Sequence, residues 1–426
     1  MPHLPRDPAF DSTLALMADP YRFISRRCER FGSDAFEARI LLRRTVCMMG
    51  AEAAELFYDR RRFMRQGAAP EPLRATLFGK GAVQSLDDAA HQHRKAMFLA
   101  LLTPERVAQL ANETAAAWRD AAEEWQQHRR LQLYEAVQRL LTQAVCRWAG
   151  VPLPPDQVGL RTRQLVALFD EAGSLQHLSA RRARGQAEDW LAELVQALRE
   201  RRITVRRDSA LDVVAHHRDG AGRLLVPRVA AVELLNLLRP TVAVSVFVVF
   251  AAHAMHQYPQ CLAALQGGDE RYVDWFVQEV RRFYPFFPAV IARAREEFEW
   301  RGIGFRQGQR AMLDLYGTNH DPRCWHEPEA FRPERFRDER VTPYNFVPQG
   351  GGHAATHHRC PGEAVAVAVI KVSVDFLARR LGYEVPPQDL RLDFQRLPAI
   401  PRSHFVLRDV TPLPQHAWPS FAFSPS

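Results

Sequence analysis

Lysine is almost missing from this 426-residue chain: Lys80, Lys95 and Lys371 are the only three among 57 basic residues. The formal net charge of +8 would suit a nucleic-acid binder. The remaining basic residues are arginines, scattered and mostly near Glu or Asp, in a chain rich in Ala and Pro. That bias fits a GC-rich genome better than a phosphate-binding face, and no nucleic-acid partner is expected. Cysteine is also sparse. The six residues (Cys28, Cys47, Cys146, Cys261, Cys324 and Cys360) are widely spaced and form no C-x-x-C pair. This excludes a disulfide framework and points to a reduced, cytoplasmic setting. The longest apolar stretch, Thr241 to Met255, is interrupted by Ser245 and His253. It is too short to span a bilayer and reads as a buried helix, so no integral membrane segment is expected. Met1 to Phe10 has no apolar h-region, which argues against a secretory signal. There is no internal repeat and no low-complexity linker, so residues 1–426 are expected to form one domain, with 410–426 as a loosely packed, proline-rich tail.

What is there is mainly helical. Apolar residues recur with helical period over Pro104–Trp125, Leu131–Trp148 and Gly185–Thr204. Strand signals are short: Ala38–Met49, Val290–Ala294 and Glu297–Gly304. From Ala311 to Gln349 the chain reads as a long ordered meander, and helix returns at Pro361 to run to about Leu381.

Cys360 stands before Pro361-Gly362-Glu363 and a long apolar helix. Proline favours the first helical position, and this would set the sulfur at a helix N-terminus, where unsatisfied amides stabilise a thiolate. The run Gly350-Gly351-Gly352 allows the backbone to lie against a flat object. Three readings compete: a buried free thiol, a zinc site with His353, His357 and His358, and haem iron with an axial cysteinate. The zinc spacing matches no usual closed Cys/His site.

Cys-Pro-Gly-Glu at 360–363, behind Phe346 and a Gly/His/Arg loop, resembles the haem-binding signature of the cytochrome P-450 superfamily. Glu279-Val280-Arg281-Arg282 resembles its E-x-x-R helix, and Phe331-Arg332-Pro333-Glu334-Arg335-Phe336 its meander motif. The resemblance implies the mainly α cytochrome P-450 fold, a triangular helical array with a long central helix over the haem and small β-sheets. It also implies a buried ion-pair network of Glu279, Arg282 and Arg335, and a haem b ligated by the Cys360 thiolate.

Two features depart from ordinary members. Phe346 and Cys360 are fourteen positions apart, with a Gly/His-rich insertion between them. The central helix, expected over about Val226 to His256, carries Arg239-Pro240 where an acid-alcohol pair would stand. Arg239 is flanked by apolar neighbours, and a buried guanidinium without an anion is costly. Pro240 removes the helical bond to the Asn236 carbonyl and predicts a kink; alternatively, Pro240 starts a new helix and Arg239 snorkels. Together with Leu77–Gln84, His91–Lys95 and Val277–Pro288, these departures resemble the bacterial fatty-acid peroxygenase branch.

That resemblance implies hydrogen-peroxide-dependent hydroxylation at the α or β carbon of a fatty acid, with no redox partner protein. Arg239 and Pro240 would be catalytic, with the substrate carboxylate on Arg239 moving the peroxide's proton. Gln84 stands where the branch's hydroxylases tend to carry Gln and its decarboxylases His. Phe78 and Phe286 would line the substrate channel. His91, Lys95, Arg65, Arg293 and Arg359 would be haem contacts. The rival readings are a conventional redox-partner monooxygenase, an alkene-forming decarboxylase, and a haem sensor without turnover.

Overall fold

The computed structural model describes residues 4–71, 74–170 and 177–414. Its helices assemble because their apolar stripes match. The Pro104–Trp125 helix, expected over that same span, buries Val107, Leu110, Ala111, Thr114, Ala115, Trp118, Ala122 and Trp125, residues three and four apart along one face. Trp118 stacks on Phe376 with centroids 5.3 Å apart and donates its indole N–H to Ser373 Oγ at 3.1 Å. This joins the helix to Glu363–Asp375, the helix that follows Cys360. The second and third expected helices appear as Leu133–Ala149 and His177–Arg199.

The central helix is Pro227–Ala243 continued by Ser245–Gln257. This stretch is long and apolar enough to cross a membrane, but 94% of its most apolar window is buried inside the fold. Pro240 lies within the first segment rather than starting a new one. The irregularity falls one turn later, at Val244, whose N–H reaches back three residues to the Thr241 carbonyl at 3.2 Å.

The small sheets differ from expectation in detail. The expected strand Ala38–Met49 is a hairpin, β1 (Ala35–Ile40) and β2 (Arg43–Met48), turned at Leu41 and Leu42, which both have positive φ. With β3 (Phe63–Met64), β5 (Ala289–Ala294) and β8 (Arg310–Asp314) it forms a five-stranded sheet in the order β1-β2-β8-β5-β3, in which only β2 and β8 run parallel. The expected strand Glu297–Gly304 is likewise a hairpin, β6 (Phe298–Trp300) and β7 (Ile303–Phe305). A three-stranded sheet joins β4 (Arg130–Gln132), β10 (Val406–Pro412) and β9 (Leu381–Glu384). The expected loose tail is therefore held as far as Leu413, whose N–H donates to the Arg380 carbonyl at 2.8 Å; residues 415–426 lie outside the described residues.

The ion-pair network has the expected partners. Glu279, on the Glu270–Phe283 helix, accepts from Arg282 at 2.7 and 2.8 Å and from Arg335 at 3.2 Å, and all three side chains are fully buried. Their remaining donors go to the meander: Arg282 to the carbonyls of Asn319 and Ala330, and Arg335 to the carbonyls of His326, Glu327 and Ala330 and to Glu339 Oε1 at 2.8 Å. This arrangement fastens an otherwise irregular segment to a helix. Glu279→Gln removes the charge while keeping the shape. It is expected to lower the unfolding free energy by about 3–5 kcal/mol, because fully buried Arg282 loses its anion and Arg335 keeps only Glu339. Urea denaturation of the purified protein checks this, and an unchanged midpoint would contradict it.

Candidate active site

The Cys360 loop is built from below. Pro361 and Gly362 form a turn, and the helix begins at Glu363 with Gly362 as its N-cap, two residues later than Pro361 led us to expect. The sulfur nevertheless meets the Gly362 N–H, which favours a thiolate, as do the nearby charges of Lys95 and Arg281. Burial opposes them and, in the protein alone, pushes the thiol above its ordinary range. Gln349 approaches Sγ with its Nε2 at 4.0 Å, and its carbonyl accepts the Cys360 N–H at 3.2 Å.

Glu363 holds this loop from the helix side. It accepts from Arg359 at 2.6 and 3.0 Å and from Arg281, which also reaches Gln349 Oε1 at 3.0 Å. Arg359 is thus committed to Glu363. Lys95 donates to the carbonyls of His357 and Arg359, the latter at 2.9 Å, and so ties the inserted loop to the Asp88–Leu101 helix. A Cβ at Gly350 would stand 2.8 Å from Tyr58 Oη, one at Gly351 3.0 Å from Tyr58, and one at Gly352 2.8 Å from His357. These glycines admit Tyr58, the Pro343 carbonyl and His357 into the space a Cβ would take.

His91 and His358 stack with centroids 4.0 Å apart, and His358 Nε2 lies 3.3 Å from Asp87 Oδ1. Of the zinc candidates, His358 turns to His91 and Asp87 while His353 and His357 lie together, and no group of three or more metal-ligating side chains gathers among the described residues. Asp87 also accepts the N–H of Arg65, whose guanidinium lies over Phe57 at 4.2 Å and keeps a buried Nη1 without a partner. Arg293, on β5, runs beside Gly67 and Gly308, in the same neighbourhood as Arg65.

On the other side of Cys360 lies Arg239. The two are near enough for their charges to interact. Arg239 is buried, and its Nε has no hydrogen-bond partner. Burial, then the neighbouring Arg184 cation, push its pKa down to about 9, which leaves it charged at neutral pH. The expectation of an all-apolar surrounding is corrected: Arg239 Nη2 lies 3.5 Å from Asn236 Oδ1, and Asn236 Nδ2 donates to Glu233 at 2.9 Å. Glu233 is fully buried and accepts from Arg94 Nη1 at 2.6 Å. Gln84, on the Val83–Ser85 turn, also keeps a buried, unpartnered Oε1. Phe286 packs on Phe247 of the central helix at 4.3 Å. The carbonyl of Phe78 accepts from Arg184 at 2.9 Å, which holds the Arg74–Phe78 turn against the His177–Arg199 helix.

Sequence reasoning missed Arg281, Glu363, Arg94, Arg184, Glu233 and Asn236. A signal existed for the last two. They precede Arg239 by six and three residues, on one face of the same helix.

The orphaned polar atoms fit a site built for groups outside the polypeptide. Arg239 offers a cationic donor and Gln84 an acceptor, both dry, and Cys360 offers a thiol that meets a backbone N–H. That donor set suits a thiolate-ligated haem with an anionic ligand near it.

Burial lowers the pKa of His91 to about 4 and of His358 to about 3. Both are neutral at pH 7, while an unfolded histidine binds a proton near pH 6.5. The unfolded state therefore takes up more protons below about pH 6.5, and stability is lost as the pH falls from there toward 4. The urea midpoint should drop between pH 7 and 5, and His358→Gln should make that drop shallower. A midpoint that rises on acidification would contradict this account.

A cytochrome P450 family profile matches residues 269–407. Among curated relatives, cytochrome P450 71A8 of Mentha piperita is 29% identical over 147 residues, which are 33% of this chain and 28% of that relative. The match thus spans under a third of that relative's length. Solved structures match far more completely. Cytochrome P450SP alpha (CYP152B1) in complex with (R)-ibuprophen is 50% identical, covering 94% of this chain and 98% of that one, with a TM-score of 0.92. Cytochrome P450EX alpha (CYP152N1) with myristic acid is 42% identical, covering 97% and 100%, with a TM-score of 0.94. A variant of cytochrome P450 OleT in complex with arachidonic acid is 32% identical, covering 97% and 100%, also with a TM-score of 0.94. The helical array, the buried Glu279 network, the thiol at the head of the Glu363 helix and these near-full-length relatives agree, and the chain belongs to the cytochrome P450 family, in its fatty-acid peroxygenase branch.

Proposed function

We propose that the protein hydroxylates fatty acids at the α or β carbon with hydrogen peroxide, and that the substrate's own carboxylate, held by Arg239, moves the proton. The observation that carries this is the dry, uncompensated guanidinium of Arg239 near Cys360. A haem b ligated by Cys360 supplies the oxidising chemistry when bound. His91, Lys95, Arg65, Arg293 and Arg359 are its proposed surroundings. Lys95 and Arg359 act by bracing the cysteine loop, and Arg65 is the strongest candidate for a carboxylate of the cofactor, with its spare buried Nη1. Solved relatives were crystallised with myristic and arachidonic acids, which supports a fatty acid as substrate here.

Arg239 presents a planar fork that fits a carboxylate through two parallel bonds. Binding neutralises a charge that burial otherwise penalises, so the anion is favoured over a neutral lipid. Among the residues around Arg239, Glu233 is spoken for by Arg94 and Asn236 and cannot serve as a free acid-base. The bound carboxylate takes that role: it accepts the peroxide proton and returns it to the departing oxygen. Anchoring the head group leaves only the first carbons of the chain within reach. Phe78 and Phe286 flank the tail's path with apolar surface. Gln84 places an amide oxygen where the branch's decarboxylases tend to have His, which favours hydroxylation over loss of the carboxyl. The six cysteines are unpaired, in keeping with a reducing bacterial cytoplasm, and peroxide as oxidant removes any need for a redox partner protein.

Arg239→Ala should weaken fatty-acid binding by about 1.5–3 kcal/mol, the loss of a charge-assisted pair in a dry site. Turnover should fall further than binding, because the proton carrier is no longer positioned. Kd from haem titration and kcat with peroxide test this; a variant with full turnover would sink the proposal. Cys360→His should abolish the thiolate-type Soret band of the reduced carbonyl complex, and a variant that keeps that band would overturn the ligand assignment. Product analysis of the unaltered enzyme tests Gln84: hydroxy acids are expected, and terminal alkene as the main product would contradict its assigned influence.

A further inference from the structure

We infer that Glu233 is a positioning residue for this reaction: it aims Arg239 through Asn236 and fixes the Gln84 turn through Val83, and so helps set which carbon is oxidised. The inference rests on the proposed fatty-acid chemistry and assigns a control point within it.

Glu233 is fully buried in the Pro227–Ala243 helix, yet its carboxylate meets three elements. Arg94 of the Asp88–Leu101 helix donates to it at 2.6 Å, Asn236 Nδ2 donates at 2.9 Å, and the backbone N–H of Val83 approaches it closely enough to favour its charged form. Burial raises the pKa of Glu233, but all three partners are donors and one is the Arg94 cation, which favours an acceptor-only carboxylate. This has a consequence for Asn236. An amide has one donor end and one acceptor end. With Nδ2 committed to Glu233, Oδ1 must point the other way, toward Arg239, which it reaches at 3.5 Å. Glu233 thus fixes the polarity of the one side-chain acceptor that Arg239 meets among the described residues. A neutral side chain at 233 would free the amide to turn its NH₂ toward the guanidinium, which repels it.

The second link runs to Gln84. Val83 is the first residue of the Val83–Ser85 turn, so its approach to Glu233 ties that turn to the central helix. The carboxylate anchor and the residue facing the reacting carbons are then referenced to one buried group. A shift of either by a fraction of an ångström changes which carbon is presented.

The test is a double-mutant cycle on the haem-loaded protein with Glu233→Gln, Asn236→Leu and the double variant. Three readouts are taken: myristic-acid binding by calorimetry, and kcat and the α-to-β hydroxylation ratio with peroxide. Each single change should weaken binding about three- to tenfold and shift the product ratio, with kcat falling more than binding. The double variant should bind no worse than the weaker single variant, because both act through one contact. Glu233→Gln with unaltered affinity and ratio overturns the inference, as do effects that add fully. Asn236→Leu leaves the Arg94 and Val83 contacts with Glu233 intact, so it stands as the test if Glu233→Gln fails to fold; wild-type affinity and ratio in that variant overturn the inference too. Failure of the proposed function looks different. The unaltered enzyme would then bind the acid without oxidising it at these carbons, and the calorimetric cycle would still decide the role of Glu233.

Discussion

A guanidinium that burial penalises and no side-chain anion among the described residues neutralises is the constraint around which this protein is arranged. Arg239 keeps its charge at neutral pH although it is buried, neighbours the Arg184 cation and, among the described residues, has one long side-chain hydrogen bond, to Asn236. Such a group is tolerated when the free energy is returned by a ligand that brings the missing charge. On the proposed function, that ligand is the substrate, and the same charge does the acid-base work. Selectivity for acids, position of oxidation and proton movement then follow from one ion pair.

The pair works only if its surroundings do not yield. Two buried ionic clusters supply that stiffness. Glu279, Arg282 and Arg335 pin the meander to the Glu270–Phe283 helix. Glu363, bridged by Arg281 and Arg359, braces the cysteine loop, and Lys95 closes it from the opposite helix. Arg281 and Arg282 are adjacent in sequence and serve different clusters, so one helical turn holds both the meander and the thiol loop.

Much of this was legible in the sequence, for physical reasons. Long helices announce themselves by period, and Pro104–Trp125 has the boundaries that its apolar residues indicate. The three motifs carry chemistry at fixed spacing, so Glu279, Arg282, Arg335 and Cys360 were identifiable. The first hairpin reads as a single strand because Leu41 and Leu42 adopt positive φ without a glycine to mark the turn. That Tyr58 and His357 occupy the space beside the glycine run was not legible, because which neighbour approaches a glycine is a tertiary fact. Arg94 and Arg184 were invisible as site residues because they reach the centre from distant helices, and one arginine among many carries no local signal.

The most direct test of the central claim separates the carboxylate from the rest of the substrate. A non-acidic decoy molecule is supplied with peroxide, with and without acetate, which is small enough to reach Arg239 but carries no tail. The account predicts that acetate restores decoy oxidation in the unaltered enzyme and does not in Arg239→Ala. Equal decoy oxidation with and without acetate would mean that another group moves the proton, and the account would be wrong.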